Sequence, residues 1–290
     1  MSKKFKKTMS LIIAVCLVCA LTCGLAAAEG EPELTEPAHS DVQIYVDDLL
    51  ACRGYLIDGE TYVTLRAMCN AAGQNVDVVW GTEIEKDGSE TYTMTAQING
   101  VNIYYTLGDN YLSANGRYIY LPQGSYELDG EILFPIDIVA KLFTLNLEKS
   151  EDGSFIMIST AGLEMIQSGD EFYNPEDLDL LAHIIHAEAG NQSLEGMIGV
   201  GAVIMNRVAN PVFPDNIYDV VYAEGQFEPT WSGSINLEPN ELSIVAAYLT
   251  LEGYNTVEDS VSFYNPGSGT GYLTSPTFVT RIEDHVFFRR

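Results

Sequence analysis

The chain is short of cations: 14 Lys and Arg residues stand against 41 Asp and Glu over 290 residues, and no lysine occurs between residues 150 and 290. The formal charge of −27 excludes nucleic acid as a partner, because a phosphate backbone is bound by clustered cations. For the same reason Gly267-Ser268-Gly269-Thr270-Gly271 reads as a loop and not as a phosphate cradle. Histidine is also scarce. Only His39, His183, His186 and His285 occur, so residues 41–160 have no imidazole with which to hold copper. Cysteine is nearly absent beyond Cys16, Cys19 and Cys23. The remaining pair, Cys52 and Cys69, allows either a disulfide or two buried thiols. No G-x-S-x-G occurs and no cysteine follows Cys69, so neither a serine elbow nor a thiol nucleophile is available in the second half.

What is present begins with a secretory pattern. Lys3, Lys4, Lys6 and Lys7 precede an apolar run from Leu11 to Leu25 and the small residues Ala26-Ala27-Ala28. Residues 1–28 therefore read as a signal peptide cleaved after Ala28, an uncleaved membrane anchor being the alternative. Ala20-Leu21-Thr22 before Cys23 lacks the residues usual for lipid attachment. The expected location is secreted. Residues 29–40, acidic and proline-containing, have almost nothing apolar to bury and read as a linker.

From Asp41 to about Thr160 short alternating runs such as Val42-Gln43-Ile44-Tyr45-Val46 are punctuated by Asp-Gly and Asn-Gly, the signature of strands and tight turns. Asp58-Gly59-Glu60-Thr61-Tyr62-Val63-Thr64-Leu65-Arg66-Ala67 is echoed 71 residues on by Asp129-Gly130-Glu131-Ile132-Leu133-Phe134-Pro135-Ile136-Asp137-Ile138. Each copy runs from a turn through a strand into a short helix, which points to duplication. This stretch resembles the copper amine oxidase N-terminal type of domain. Without histidine it reads as a non-catalytic binding or spacer module, joined to the second half of the chain by a linker at 161–173.

From Asn174 the hydrophobic period lengthens to that of a helix. Asn174 suits the N-cap, Pro175 the first position, and Glu176 and Asp177 the positive end of the dipole, which predicts a helix to Ala189 with Gly190 as its stop. A second helix is expected from about Ser193 to Val208, with Gly196, Gly199 and Gly201 allowing close approach, and a third over 239–252. The rest reads as aromatic-rich loop, with a hairpin around Val261–Tyr264 and Phe278–Ile282.

On the first helix Leu178, Leu181, Ile184 and Ile185 form an apolar arc, and Glu188 falls inside it, about 20° from Leu181 and about 40° from Ile184. Burial and the negative end of the helix dipole both favour the protonated carboxyl, which is what a general acid needs at neutral pH. The bland alternative is a structural glutamate bonded to backbone. His183 and His186 lie on the opposite face and read as solvated partners of nearby acids. A zinc site from His183, His186 and His285 is the sharper alternative, but Glu188 points about 140° or more away from the two helical histidines. No cofactor is expected.

The runs Leu181-Ala182-His183-Ile184-Ile185-His186-Ala187-Glu188-Ala189-Gly190-Asn191-Gln192 and Glu195 to Val208, followed by Phe213-Pro214, Gln226-Phe227, Phe263-Tyr264-Asn265-Pro266 and His285-Val286-Phe287, resemble the spore-cortex-lytic cell wall hydrolase family over about residues 174–290. The resemblance implies an α+β protein: a β-rich duplicated first domain, then a mainly helical, lysozyme-like catalytic domain. It implies cleavage of the β-1,4 bond between N-acetylmuramic acid and N-acetylglucosamine in peptidoglycan of the vegetative wall or spore cortex. Glu188 matches the catalytic acid; Gln226, Phe227, Tyr264, Asn265 and His285 match motifs around the cleft, and Asn206 is a further candidate for sugar contact. Many members carry Arg-Gly-Glu where this chain has Gly190-Asn191-Gln192, so a second motif glutamate is missing. One acid suffices for a lytic transglycosylase, whereas ordinary glycosidases use two carboxyl groups. A hydrolysing muramidase recruiting Asp219, Glu224 or Glu228, a zinc amidase, and an inactive wall-binding protein remain the alternatives.

Overall fold

The computed structural model describes residues 38–84, 90–128, 131–268 and 277–289. The signal peptide, most of the acidic linker, the Asp129-Gly130 turn and the end of the glycine-rich loop lie outside the described residues. Among the described residues no helix is long and apolar enough to cross a membrane.

The first half is built from strands β1 (Ser40–Val46), β2 (Leu49–Ile57), β3 (Glu60–Thr64), β4 (Val76–Ile84), β5 (Glu90–Ile98), β6 (Val101–Thr106), β7 (Tyr111–Ala114), β8 (Arg117–Tyr120), β9 (Tyr126–Leu128), β10 (Glu131–Pro135), β11 (Asn146–Lys149) and β12 (Phe155–Ser159). Helices α1 (Leu65–Ala71) and α2 (Ile136–Leu142) follow β3 and β10 directly. Both members of the repeated strand-helix unit thus sit 71 residues apart, and they pair antiparallel, Leu133 opposite Thr64. One sheet runs β11-β12-β1-β2-β3-β10-β9 and the other β4-β5-β6-β7-β8. The Asp58-Gly59, Asn99-Gly100 and Asn115-Gly116 pairs all have positive φ, as tight two-residue hairpins require. Alternating inward residues, among them Ile44, Val63, Met94, Ile103 and Ile119, make one core with Met68 of α1 and Val139 of α2. Cys52 and Cys69 are free thiols, and burial pushes them up to about 11 and about 12 respectively.

The second half contains helices α3 (Gly169–Phe172), α4 (Pro175–Ala189), α5 (Leu194–Ala209), α6 (Ile217–Val221), α7 (Pro229–Ser232) and α8 (Glu241–Leu251). A small sheet comes last, of β13 (Ser262–Tyr264), β14 (Thr277–Ile282) and β15 (His285–Arg289). The expected hairpin is corrected here: β13 and β14 do not pair with each other but flank β15 on either side. Short α6 and α7 replace part of the expected loop. Their four or five residues are too few to show a helical period in sequence.

Within residues 161–173, expected as a linker, Ile166 and Gly169 are buried while most of the segment is exposed. Ile166 joins the core of the first half, and a Cβ on Gly169 would come within 2.3 Å of the Gly116 carbonyl oxygen. At the junction Glu252, just past α8, has a fully buried carboxylate. It accepts from Arg117 Nε and Nη2 at 2.7 and 2.6 Å, from Tyr173 Oη at 2.6 Å and from Lys141 Nζ at 3.2 Å. Burial pushes this carboxyl up, but the Arg117 and Tyr173 hydrogen bonds and the charges beside them hold it below its ordinary value. Tyr118 of β8 stacks on Tyr248 of α8 with centroids 4.4 Å apart. Removing the charge at Glu252 strands two cations at a buried junction, so Glu252→Gln should destabilise the full chain by ~3 kcal/mol in urea titration. A loss under ~0.5 kcal/mol would make the cluster an ordinary surface pair.

Candidate active site

α4 begins as its sequence dictates. The Asn174 side chain accepts from the backbone N–H groups of Glu176 and Asp177, and Pro175 occupies the first turn. Leu181, Ile184 and Ile185 are buried against α5 and α8, and Glu188 enters the same packed face, half-buried near the helix end. One glycine lets the helices come this close: a Cβ on Gly201 would meet Thr250 Oγ1 of α8 at 2.3 Å. A Cβ on Gly190 would instead meet the carbonyl oxygen of His186, in the last turn of the same helix, at 2.5 Å. Gly199 faces the other way, toward Phe287 of β15, so the glycines of α5 serve two contacts and not one side.

Burial pushes the Glu188 carboxyl up to about 7, the negative charge of Glu228 adds to the rise, and the positive charge of Arg207 opposes it. Arg207 lies near the end of α5 and is itself buried, at 5% exposure. Its Nε donates to the Val261 carbonyl at 2.8 Å, and its guanidinium carbon sits 5.0 Å from the Phe227 ring centroid and 5.4 Å from that of Phe213. In the sequence Arg207 stands out only as part of a motif run. The signal that could have found it is an arginine closing an almost wholly apolar helix, where a cation is buried only if something nearby uses its charge.

The other expected site residues divide into two groups. Gln226 is half-buried in the turn before α7, with no partner for its side-chain amide among the described residues. Tyr264 and Asn265 are half-buried at the end of β13, where Asn265 Oδ1 accepts from the Gly267 N–H at 2.8 Å. Glu228, exposed, comes directly after Phe227. Phe227, Asn206 and His285, by contrast, are engaged within the protein itself. Phe227 is 2% exposed and offers no free ring face. Asn206 Nδ2 donates to the carbonyls of Glu258 at 2.7 Å and Ser260 at 2.8 Å, which fastens the 255–260 turn to α5. His285 is buried, its pKa lowered by burial against the opposing charges of Asp284 and Glu283, and set edge-on to Phe263 at 5.2 Å. Phe263 also reaches Phe227 at 6.4 Å, so a row of rings links Arg207 to the strand that carries Tyr264 and leads into Asn265.

The histidines of α4 also separate. His183 Nδ1 bonds the Asp179 carbonyl at 2.9 Å, near the Asp179 carboxylate as expected. His186 is corrected: it turns inward, its Nδ1 3.4 Å from both the Asn240 N–H and Ser243 Oγ at the start of α8. Among the described residues His183, His186 and His285 join no group of ligating side chains that could hold a metal ion. Asp219 is engaged with Asn216 at the cap of α6. Of the three acids considered as partners for Glu188, Glu228 is the one whose charge acts on it.

Residues 191–288 match the Cell Wall Hydrolase family, and residues 49–158 match the Copper amine oxidase N-terminal domain. The chain thus carries a cell wall hydrolase domain behind a domain of the copper amine oxidase N-terminal type. Similar curated proteins include the spore cortex-lytic enzyme of Bacillus subtilis (strain 168), 28% identical over 116 residues, 40% of this chain and 38% of that protein. The spore cortex-lytic enzyme of Halalkalibacterium halodurans is 30% identical over 128 residues, 44% of this chain and 39% of its own. The chain therefore spans about two fifths of the length of the curated relatives it matches. Among solved structures, the catalytic domain of the Bacillus cereus SleB protein is 26% identical, with 40% of this chain and 92% of that one covered and a TM-score of 0.38.

The position of Glu188 carries a stability consequence. Its folded pKa, about 7, lies above the ordinary 4.5, so the folded protein holds this proton more tightly than the unfolded chain does. Stability from this group is complete below about 4.5 and is lost as pH rises through about 7. Glu188→Gln removes that dependence. The mutant should gain on the wild type by roughly 3 kcal/mol between pH 4.5 and pH 8 in denaturant titrations. A pH-independent difference would mean that Glu188 is ionised and solvated.

Proposed function

We propose that residues 174–290 cleave the β-1,4 bond between N-acetylmuramic acid and N-acetylglucosamine in peptidoglycan, acting as a lytic transglycosylase with Glu188 as its acid and base. The observation that supports this most is the Glu188 carboxyl, which keeps its proton near neutral pH beside one buried cation. The family match begins at residue 191, so the role of Glu188 rests on its own placement and on the motif around it.

In this reading the Glu188 O–H protonates the glycosidic oxygen as the C1–O bond breaks, and the substrate's N-acetyl carbonyl stabilises the positive charge left on C1. Arg207 favours the carboxylate that remains. That carboxylate takes the proton from the muramic 6-hydroxyl while O6 bonds to C1, which restores the acid and leaves a 1,6-anhydro end. The internal hydroxyl is a nucleophile at high effective concentration, so no second protein base is needed. Gln226, Tyr264 and Asn265 supply amide and phenol groups for the sugar's acetamido and hydroxyl groups. The spore cortex-lytic names of the relatives extend the proposed substrate to cortex as well as vegetative wall, and a substrate of either kind lies outside the membrane.

A second reading has one observation in its favour. Glu228 is close enough for its charge to raise the Glu188 pKa. It could therefore activate water and make the enzyme a hydrolysing muramidase.

Mass spectrometry of muropeptides from purified walls separates the two. The proposal expects products lighter by one water that resist borohydride reduction, no cleavage by Glu188→Gln, and unchanged products from Glu228→Gln. As a control, Glu195→Gln, in the first turn of α5, should cleave normally. Reducing muramic ends that disappear in Glu228→Gln would establish the muramidase, and free peptide stems an amidase.

A further inference from the structure

The outer face of the five-stranded sheet has a composition that its inner face does not share. Inward residues of β5 to β8, such as Met94, Ile103, Leu112 and Ile119, fill the core. Outward, the strand register sets Thr95 opposite Tyr104, Tyr104 opposite Ser113, and Ser113 opposite Tyr118, a row of hydroxyls and rings across four strands. Thr93 opposite Thr106 starts a second row beside it. The strand-pairing rule that aligns same-face neighbours makes these two rows one continuous surface.

The surface is not flat and open. The start of α8 borders it through Glu241, Ile244 and Val245, and Asp109 and Tyr111 also line it. The trough has a volume of about 500 Å3, within the range that holds small polar ligands. Tyr104 is 53% exposed on its floor.

The chemistry of the lining selects among ligand classes. No lysine, arginine or histidine lines the trough, while Asp109 and Glu241 both do. Phosphates and carboxylates are therefore repelled. Threonine, serine and tyrosine hydroxyls interrupt the apolar surface throughout, which disfavours an acyl chain or an apolar helix. Carboxylates that accept from hydroxyl groups, hydroxyls that both donate and accept, and the exposed ring of Tyr104, which can cover C–H surface, together fit an uncharged sugar chain.

We infer that this trough is a second glycan-binding site, which holds an uncharged stretch of a glycan strand against Tyr104 and the Thr95-Ser113 row, away from the bond being cut. The site lies partly on the first half and partly on α8, and it gives the first half a ligand. The choice of glycan over another polyol rests on the proposed peptidoglycan substrate. Two attachment points on one polymer raise retention on insoluble wall without any change at the catalytic acid.

The test measures binding of the full chain carrying Glu188→Gln, so that strands are not cut, to chitotetraose, which carries no charge. Tyr104→Ala added to that chain should weaken binding about tenfold, and Tyr104→Phe, which keeps the ring, should stay within about threefold. Thermal unfolding should be unchanged in both, since the residue lies on an exposed face. In the otherwise wild-type chain, Tyr104→Ala should slow release of fragments from intact wall but not cleavage of short soluble fragments. Equal binding by Tyr104→Ala, or no binding by the parent chain, would overturn the site. If the wild type cuts no glycan yet Tyr104→Ala still loses binding, the catalytic reading fails and the trough stands. Normal cleavage with unaltered binding by Tyr104→Ala sinks the trough alone.

Discussion

A carboxyl group on the packed face of a helix is the constraint around which the second half is arranged. Glu188 can occupy that face only if its proton stays on or its charge is balanced, and both devices are present. Burial and Glu228 favour the proton, while Arg207 limits the cost of losing it. Arg207 in turn is a buried cation, held by the Val261 carbonyl and by the rings of Phe213 and Phe227. Phe227 leans on Phe263, and Phe263 on His285. The three-stranded sheet at the end of the chain is thereby tied to one acid on α4, and residues that resemble catalytic motifs are largely its scaffolding.

The same economy of charge governs the junction of the two halves. In a protein of net charge −27, Arg117 and Lys141 both turn to the buried Glu252, and Tyr173 completes the set. With the Tyr118–Tyr248 stack beside it, this makes the first half a wall of the molecule and not a tethered spacer. The duplicated strand-helix unit supplies α2, from which Lys141 reaches the junction.

Much of this is legible in the sequence because it depends on local rules. Asn174, Pro175 and Gly190 bound α4, and the echo of residues 58–67 locates two matching strand-helix units. The helical wheel by itself sets Glu188 among leucines and isoleucines, with no neighbouring element known. What periodicity does not contain is the identity of the partner element. The wheel puts His186 on the face opposite Glu188, but does not show the start of α8 that covers it. Phe227 and Asn206 have the residue types of sugar ligands, and only tertiary packing shows the one buried and the other occupied by the 255–260 turn. Arg207 and Glu228 are paired with Glu188 by folding alone, since no spacing rule joins residues on such different elements.

The central claim is that Glu188 retains its proton near neutral pH because of where α4 places it. Titration of the full chain labelled with 13C at the glutamate side-chain carboxyl, with the resonance assigned by its loss in Glu188→Gln, reads that proton directly. The account expects a midpoint at about 7, far above the ordinary 4.5. A midpoint near the ordinary value would contradict it, and with it the assignment of Glu188 as the acid.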